Sequence, residues 1–187
     1  MSIFNAIENS FRGLVQTVPF EKITISMICQ AANVSRTAFY SSFADKDDLV
    51  EKLLDHDVVE PVRELRRLLP TKKIKSAPQL VTEQIYAGFL RHKDYYTRIN
   101  SIEQHRFIIQ SLTTMLSAMN TEILKEYDLP QLEKYYMGYF FAAANAMLIS
   151  KWIDNGMDLD ASTLSSYYNK WTQRYWTQVQ PSHIDWS

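Results

Sequence analysis

Apolar positions along this chain recur at three- and four-residue spacing, a period that predicts helices rather than strands. Ile3, Ile7, Phe11 and Leu14 mark a first helix over about residues 2–17. Three short segments follow, over about 25–32, 36–42 and from 46 onward, each preceded by a residue suited to capping: Thr24, Ser35 and Asp45. The third carries Leu49, Val50, Leu53 and Leu54 and runs into Pro61. Proline removes an intrahelical donor and disfavours α geometry at Glu60, so a kink or restart is expected there, with Val62, Leu65, Leu68 and Leu69 continuing. Residues 70–78 read as a linker. Beyond it, helices are predicted over about 79–92, 103–127, 130–155 and 161–178, with a short piece around Tyr95 and Tyr96. The 130–155 segment is apolar on every side, and a helix of that kind must be covered on every side. Asn155-Gly156 supplies its stop.

Spacing within residues 20–54 narrows the architecture. Only Asn33 and Val34 separate the first two short helices, and so tight a turn needs a residue that tolerates positive φ. Cys29, Ala31 and Ala32 are small enough for two helices to cross closely. A short second helix beginning with small polar residues suits a major groove about 12 Å wide. The reading is an all-α chain: a three-helix helix-turn-helix unit over residues 1–48, then a helical bundle over 49–187 whose apolar faces call for dimerisation. In the second short helix, Phe39 and Phe43 are expected to face inward, leaving Ser35, Arg36, Thr37, Ala38, Tyr40 and Ser41 for the groove. Arg36 has the fork that binds guanine O6 and N7.

These residues also carry a family likeness. In Ile23-Thr24-Ile25, Ile28-Cys29, Ala32-Asn33-Val34-Ser35, Arg36-Thr37-Ala38-Phe39-Tyr40, Phe43 and Asp45-Lys46-Asp47-Asp48-Leu49, the chain resembles the TetR family of bacterial transcriptional regulators. Residues 19–24 and the Ile28-Cys29 pair look like the sub-branch containing dihydroxyacetone-kinase regulator-like proteins. Lys151-Trp152-Ile153-Asp154-Asn155-Gly156-Met157 extends a looser likeness toward the far end. Two departures stand out: Asn33 where the family usually has Gly, and no Lys or Arg before Arg12, so no basic minor-groove arm is expected. The resemblance implies a homodimer gripping a palindromic operator in double-stranded DNA, with Thr24, Tyr40 and Lys46 at positions that hold phosphates. It also implies a pocket for a small-molecule effector in the larger part. The same fold controlled by a protein partner, or acting as an activator, is the competing reading.

Composition changes this picture in places. A net charge of −1 is unusual for a nucleic-acid binder, and residues 1–55 hold Arg12, Lys22, Arg36, Lys46 and Lys52 against seven acidic side chains. With so few phosphate-neutralising groups, two copies are needed and the salt dependence should be shallow. A single cysteine excludes an internal disulfide and a cysteine metal cage, and Cys29 reads as a small buried hydrophobe. No run of about 18 apolar residues occurs, so neither membrane span nor signal peptide is expected and the location is taken as cytoplasmic. Phosphate loops, nucleophile elbows and zinc helices are missing from the sequence, so no enzyme, cofactor or metal is expected. Aromatic and methionine side chains suited to an effector are Tyr86, Phe89, His92, Tyr95, Phe107, Met115, Tyr136, Phe140 and Trp152. Tyr139, Ala143, Met147, Leu164, Tyr168, Trp171 and Tyr175 are the candidates for the face between two copies.

Overall fold

The computed structural model describes residues 2–69, 79–99, 102–125 and 127–178, with the side chains of 102–107 and 173–178 outside the description. Every regular element in these residues is helical. None is long and apolar enough to cross a membrane. The linker expected at 70–78 and the side chains of Phe107 and Tyr175 lie outside the described residues.

The head is assembled by caps and rings. Helix α1, Ile3–Thr17, starts where the Ser2 hydroxyl accepts from the Asn5 N–H, and it buries Ile7, Phe11 and Val15. A 3₁₀ turn at Phe20–Lys22, which the periodicity did not suggest, leads to α2, Ile25–Ala32. Thr24 caps α2 by accepting from the Met27 N–H at 3.2 Å. Asn33 then adopts φ 52° and ψ 45°, the left-handed geometry that so short a connection demands. Helix α3, Arg36–Tyr40, is capped by Ser35 and ends two residues sooner than expected. The Ser42 and Phe43 N–H groups both turn back to the Phe39 carbonyl, which carries the Phe43 ring inward. Phe39 and Phe43 are fully enclosed with Phe11, Ile28, Leu49 and Leu53. Cys29 is buried on α2, its thiol 3.9 Å from the Ser35 carbonyl oxygen.

Helix α4, Lys46–Leu54, begins at an Asp45 cap and leaves the head. The restart expected near Pro61 is there, one residue earlier, without the chain leaving helical geometry. The chain passes through a π-turn, Asp55–Val59, and continues as α5, Glu60–Leu68, with Pro61 in its first turn. The defect caused by the missing proline donor is therefore absorbed upstream, where the Glu60 N–H reaches back five residues to the Asp55 carbonyl.

The body contains α6, Gln79–Arg91; α7, Lys93–Ile99; α8, Ile102–Leu124; α9, Gln131–Asp154; and α10, Ala161–Gln178. Helices α8 and α9 lie together, with Asn120 donating to the Gly138 carbonyl at 3.0 Å. Helix α10 is fastened to α6 by Thr82, Ser165 and Asn169, a buried polar knot in which Asn169 Nδ2 donates to Thr82 Oγ1 at 2.7 Å. Gly156, at φ +72°, and Met157 end α9 by returning N–H groups to Ile153 and Trp152. One apolar core runs without interruption from Ile7 in the head to Leu164 in the body. A head of some fifty residues is small for independent stability, so this continuity contributes to it.

Candidate nucleic-acid interface

Because Phe39 and Phe43 are drawn into the core, the opposite side of α3 faces out. Ser35, Arg36, Thr37, Tyr40 and Ser41 are exposed there, Thr24 is exposed beside them, and Ala38 is half-buried. Several of these groups also hold the local backbone. The Ser35 hydroxyl accepts from the Ala38 N–H at 3.1 Å, and the Ser41 hydroxyl donates to the Ala38 carbonyl at 2.7 Å. Arg36 lies across to α2 and donates to the Ser26 hydroxyl, so its guanidinium is parked within the head yet solvent-accessible. Tyr40 meets Phe39 edge to face at 5.6 Å while its phenol points to solvent.

Lys46 stands apart. Its ammonium donates to the Phe20 carbonyl at 2.7 Å and the Ile23 carbonyl at 3.0 Å, and lies 4.1 Å from the centre of the Phe20 ring. Burial pushes its pKa below the ordinary lysine value, against the opposing influence of Asp47 and Glu21. Two of its three N–H groups thus tie the start of α4 to the 3₁₀ turn. The sequence did not reveal this because that turn, which aims the carbonyls, was not legible in the apolar spacing.

A second polar cluster lies where the head meets the body. Arg12 of α1 donates twice to Glu8, at 3.2 and 2.9 Å, and from Nη2 to both Asp57 oxygens, at 2.9 and 2.8 Å. Tyr96 of α7 donates to Asp57 at 2.6 Å, and Arg91 donates to the Asp57 carbonyl at 2.8 Å. His92 Nε2 is 3.4 Å from Asp57, and His56 Nδ1 is 3.5 Å from it. Asp57 is only 2% exposed. Burial works against the Arg12 cation, but Asp57, Tyr96 and Glu8 more than offset it and hold its pKa above the ordinary value. Ligand atoms of Glu8, Asp57 and His92 fall within 4.8 Å of one another, a spacing open to a metal. Arg12 Nη2 occupies the space between the two carboxylates, so the group is an arginine ion network. Sequence reasoning passed over it. The available signal was Glu8 and Arg12, one helical turn apart beside the apolar stripe of α1, and an aspartate set directly before Val58 and Val59.

The described side chains among the expected effector residues fall in three surroundings. Tyr86, Phe89, Tyr95 and Trp152 are core. Tyr86 donates to Asn145 at 2.7 Å, Trp152 Nε1 donates to the Leu159 carbonyl at 3.1 Å, and Phe89 lies 4.6 Å from the Tyr96 ring. Tyr136 and Phe140 are 63% and 59% exposed on α9. Met115 lines a cleft of about 480 Å³ between α4 and α8, otherwise polar, with Asp48, Glu51, Lys52, Asp55, Gln110, Ser111 and Thr114.

Of the residues expected between two copies, Tyr139, Met147 and Trp171 point outward and Ala143 is half-buried beside them. Leu164 is buried, and Tyr168 is turned inward, donating to the Phe141 carbonyl at 3.3 Å. Among the described residues, Leu132, Tyr135, Tyr136, Tyr139, Phe140 and Met147 leave an apolar side of α9 exposed, and Tyr167 and Trp171 are exposed on α10.

Residues 12–53 match the family model described as bacterial regulatory proteins, tetR family, and residues 76–173 match that described as transcriptional regulator C-terminal region. Among curated proteins, none matches the sequence. Solved structures that share the fold include the following three. A TetR-family transcriptional regulator from Syntrophomonas wolfei superposes with a TM-score of 0.68 at 13% identity, covering 97% of this chain and 98% of that one. The dihydroxyacetone kinase operon activator DhaS gives 0.59 at 19% identity, covering 95% and 96%. A TetR transcriptional regulator from Streptococcus agalactiae gives 0.55 at 19% identity, covering 90% and 92%.

Proposed function

The chain belongs to the TetR family of bacterial regulatory proteins, and on that premise we propose that it is a cytoplasmic homodimeric repressor released from a palindromic operator by a small-molecule effector. The observation that carries this reading is the outward side of α3, where Arg36, Thr37 and Tyr40 stand exposed over the enclosed rings of Phe39 and Phe43. In the groove, Arg36 leaves Ser26 and takes guanine O6 and N7. Thr37 and Ala38 touch thymine methyls, and Thr24, Ser35, Tyr40 and Ser41 hold the backbone. Lys46 presents its remaining N–H to a phosphate while keeping the 3₁₀ turn in register. The exposed apolar residues of α9 and α10 join the second copy, so that two heads meet half-sites a helical turn apart or a multiple of it. An effector that binds better when the heads are out of register empties the operator.

A second reading, control by a protein partner with activation of transcription, is favoured by one observation: a neighbour of the same fold is named an operon activator. Selection of bound duplexes from a random pool tests the common part. A palindrome is expected; enrichment of no sequence, or of a single undivided site, refutes it.

A further inference from the structure

The path from α4 to α5 is built around one carbonyl. Pro61 has no N–H, so the Asp57 carbonyl four residues earlier lacks its usual helical partner. Arg91, at the end of α6, fills that vacancy at 2.8 Å. Helix α6 can come so close because Gly88 faces the same spot: a Cβ there would lie 2.4 Å from the Asp57 carbonyl oxygen and 3.2 Å from its carbon, both backbone atoms that cannot swing away. The π-turn rotates the side chain of the same residue into the junction, where it meets Arg12 from the head and Tyr96 from the body. Arg12 also lies 4.6 Å from the centre of the Tyr95 ring, and Phe11 meets that ring edge to face at 6.0 Å. Titratable groups face Asp57 from every side: Glu8 and Arg12 on α1, His56 on the π-turn, Arg91 and His92 at the end of α6, and Tyr95 and Tyr96 on α7.

From this geometry we infer that Asp57, seated on Gly88, is the coupling that sets the head relative to the body. Its carbonyl is held by Arg91 of the body, while its carboxylate bridges body and head. A shift of α6 or α7 therefore cannot be taken up without moving Arg12, and with it the helix that covers α2 and α3. The claim that this coupling governs an operator rests on the regulator reading above; the coupling itself does not.

The test uses the full chain and two body-side variants that touch no groove residue, Tyr96→Phe and Gly88→Ala. Gly138→Ala on α9 serves as the control, since a methyl there meets only side-chain atoms at ordinary distance. None of the four tryptophans, at positions 152, 171, 176 and 186, falls within residues 1–54, so the melt followed by Trp152, which is buried in the body, is distinct from the head signal. Hydrogen exchange of amides 25–40 reports the head. Exchange in the head is expected to quicken at least tenfold in Tyr96→Phe and Gly88→Ala, with the tryptophan melt little moved, and to stay at the wild-type rate in Gly138→Ala. On the duplex recovered from the random pool, the same two variants should bind at least fivefold more weakly. Head exchange within twofold of wild type in a folded Tyr96→Phe protein would overturn the inference, as would head and body loosening in equal measure. Should Gly88→Ala fail to fold, Tyr96→Phe decides alone. If no duplex is recovered, the regulator reading fails while the exchange comparison still judges the coupling.

Discussion

Replacing Arg12 by Met removes the cation from the junction while keeping much of its length and its apolar stem. Arg12 makes two hydrogen bonds to Glu8 and two to Asp57. Summing charge-assisted bonds at about 1.5–3 kcal/mol each would give a figure near the whole stability of a protein this size, which overcounts, because water competes for the same groups. The relevant quantity is the cost of stranding buried carboxylates without their counter-charge, about 3–5 kcal/mol. The side chains of Arg12, Glu8 and Asp57 are 11%, 9% and 1% exposed, so little of that is lost to solvent screening. For a chain of 187 residues, at roughly 2–4 °C per kcal/mol, the melting midpoint should fall by about 6–20 °C. Arg12→Lys restores the charge but not the fork and should recover part of the loss. Removing the solvent-facing Arg67, paired with its neighbour Glu64, should leave the midpoint where it was. Thermal unfolding by circular dichroism decides the matter: an Arg12→Met midpoint within about 2 °C of wild type, under a kcal/mol, would show that the cluster is not held by its charges.

Other perturbations separate the remaining claims. Arg36→Ala should flatten preference at one base position by about 1–3 kcal/mol, whereas Lys46→Ala should weaken all duplexes alike and also lower the melting midpoint; binding profiles across the recovered sites compare the two. A Tyr139→Glu/Phe140→Glu chain should sediment as a monomer and lose operator binding, and a persisting dimer would place the interface elsewhere. Asn33→Gly should be close to neutral in chemical denaturation, while Asn33→Ala should cost about 1 kcal/mol because of the left-handed backbone. Burial, with Arg12 and Arg91 assisting, lowers the His92 pKa from its ordinary 6.5 against the pull of Asp57 and Glu8. Below 6.5 the unfolded chain takes up the proton more readily, so stability should decline as pH drops through that range, and His92→Gln should remove that part of the slope.

Local signals made the head readable. Thr24, Ser35 and Asp45 cap the helices they precede, and Asn33 takes the geometry its two-residue turn requires. Such features depend on neighbours within a few residues, which a sequence displays directly. The π-turn was not readable, because Pro61 states only that a donor is missing and leaves open which upstream carbonyl adjusts. Likewise, the α9 pattern announced cover on both flanks without saying which ring faces which flank. Tyr136 and Phe140 turn out beside Tyr139 and Met147 on the bare side, not toward Trp152. Arg12, Asp57 and Tyr96 are brought together from positions 45 and 39 residues apart, and nothing in their immediate surroundings announces the meeting.

The enclosed thiol of Cys29 has a practical corollary. It is the chain's lone sulfhydryl, sealed between the helix that precedes the turn and the one that follows it. A thiol reagent can reach it only when those two helices part, so the labelling rate of native protein is a stopwatch for that separation, free of background from any other residue.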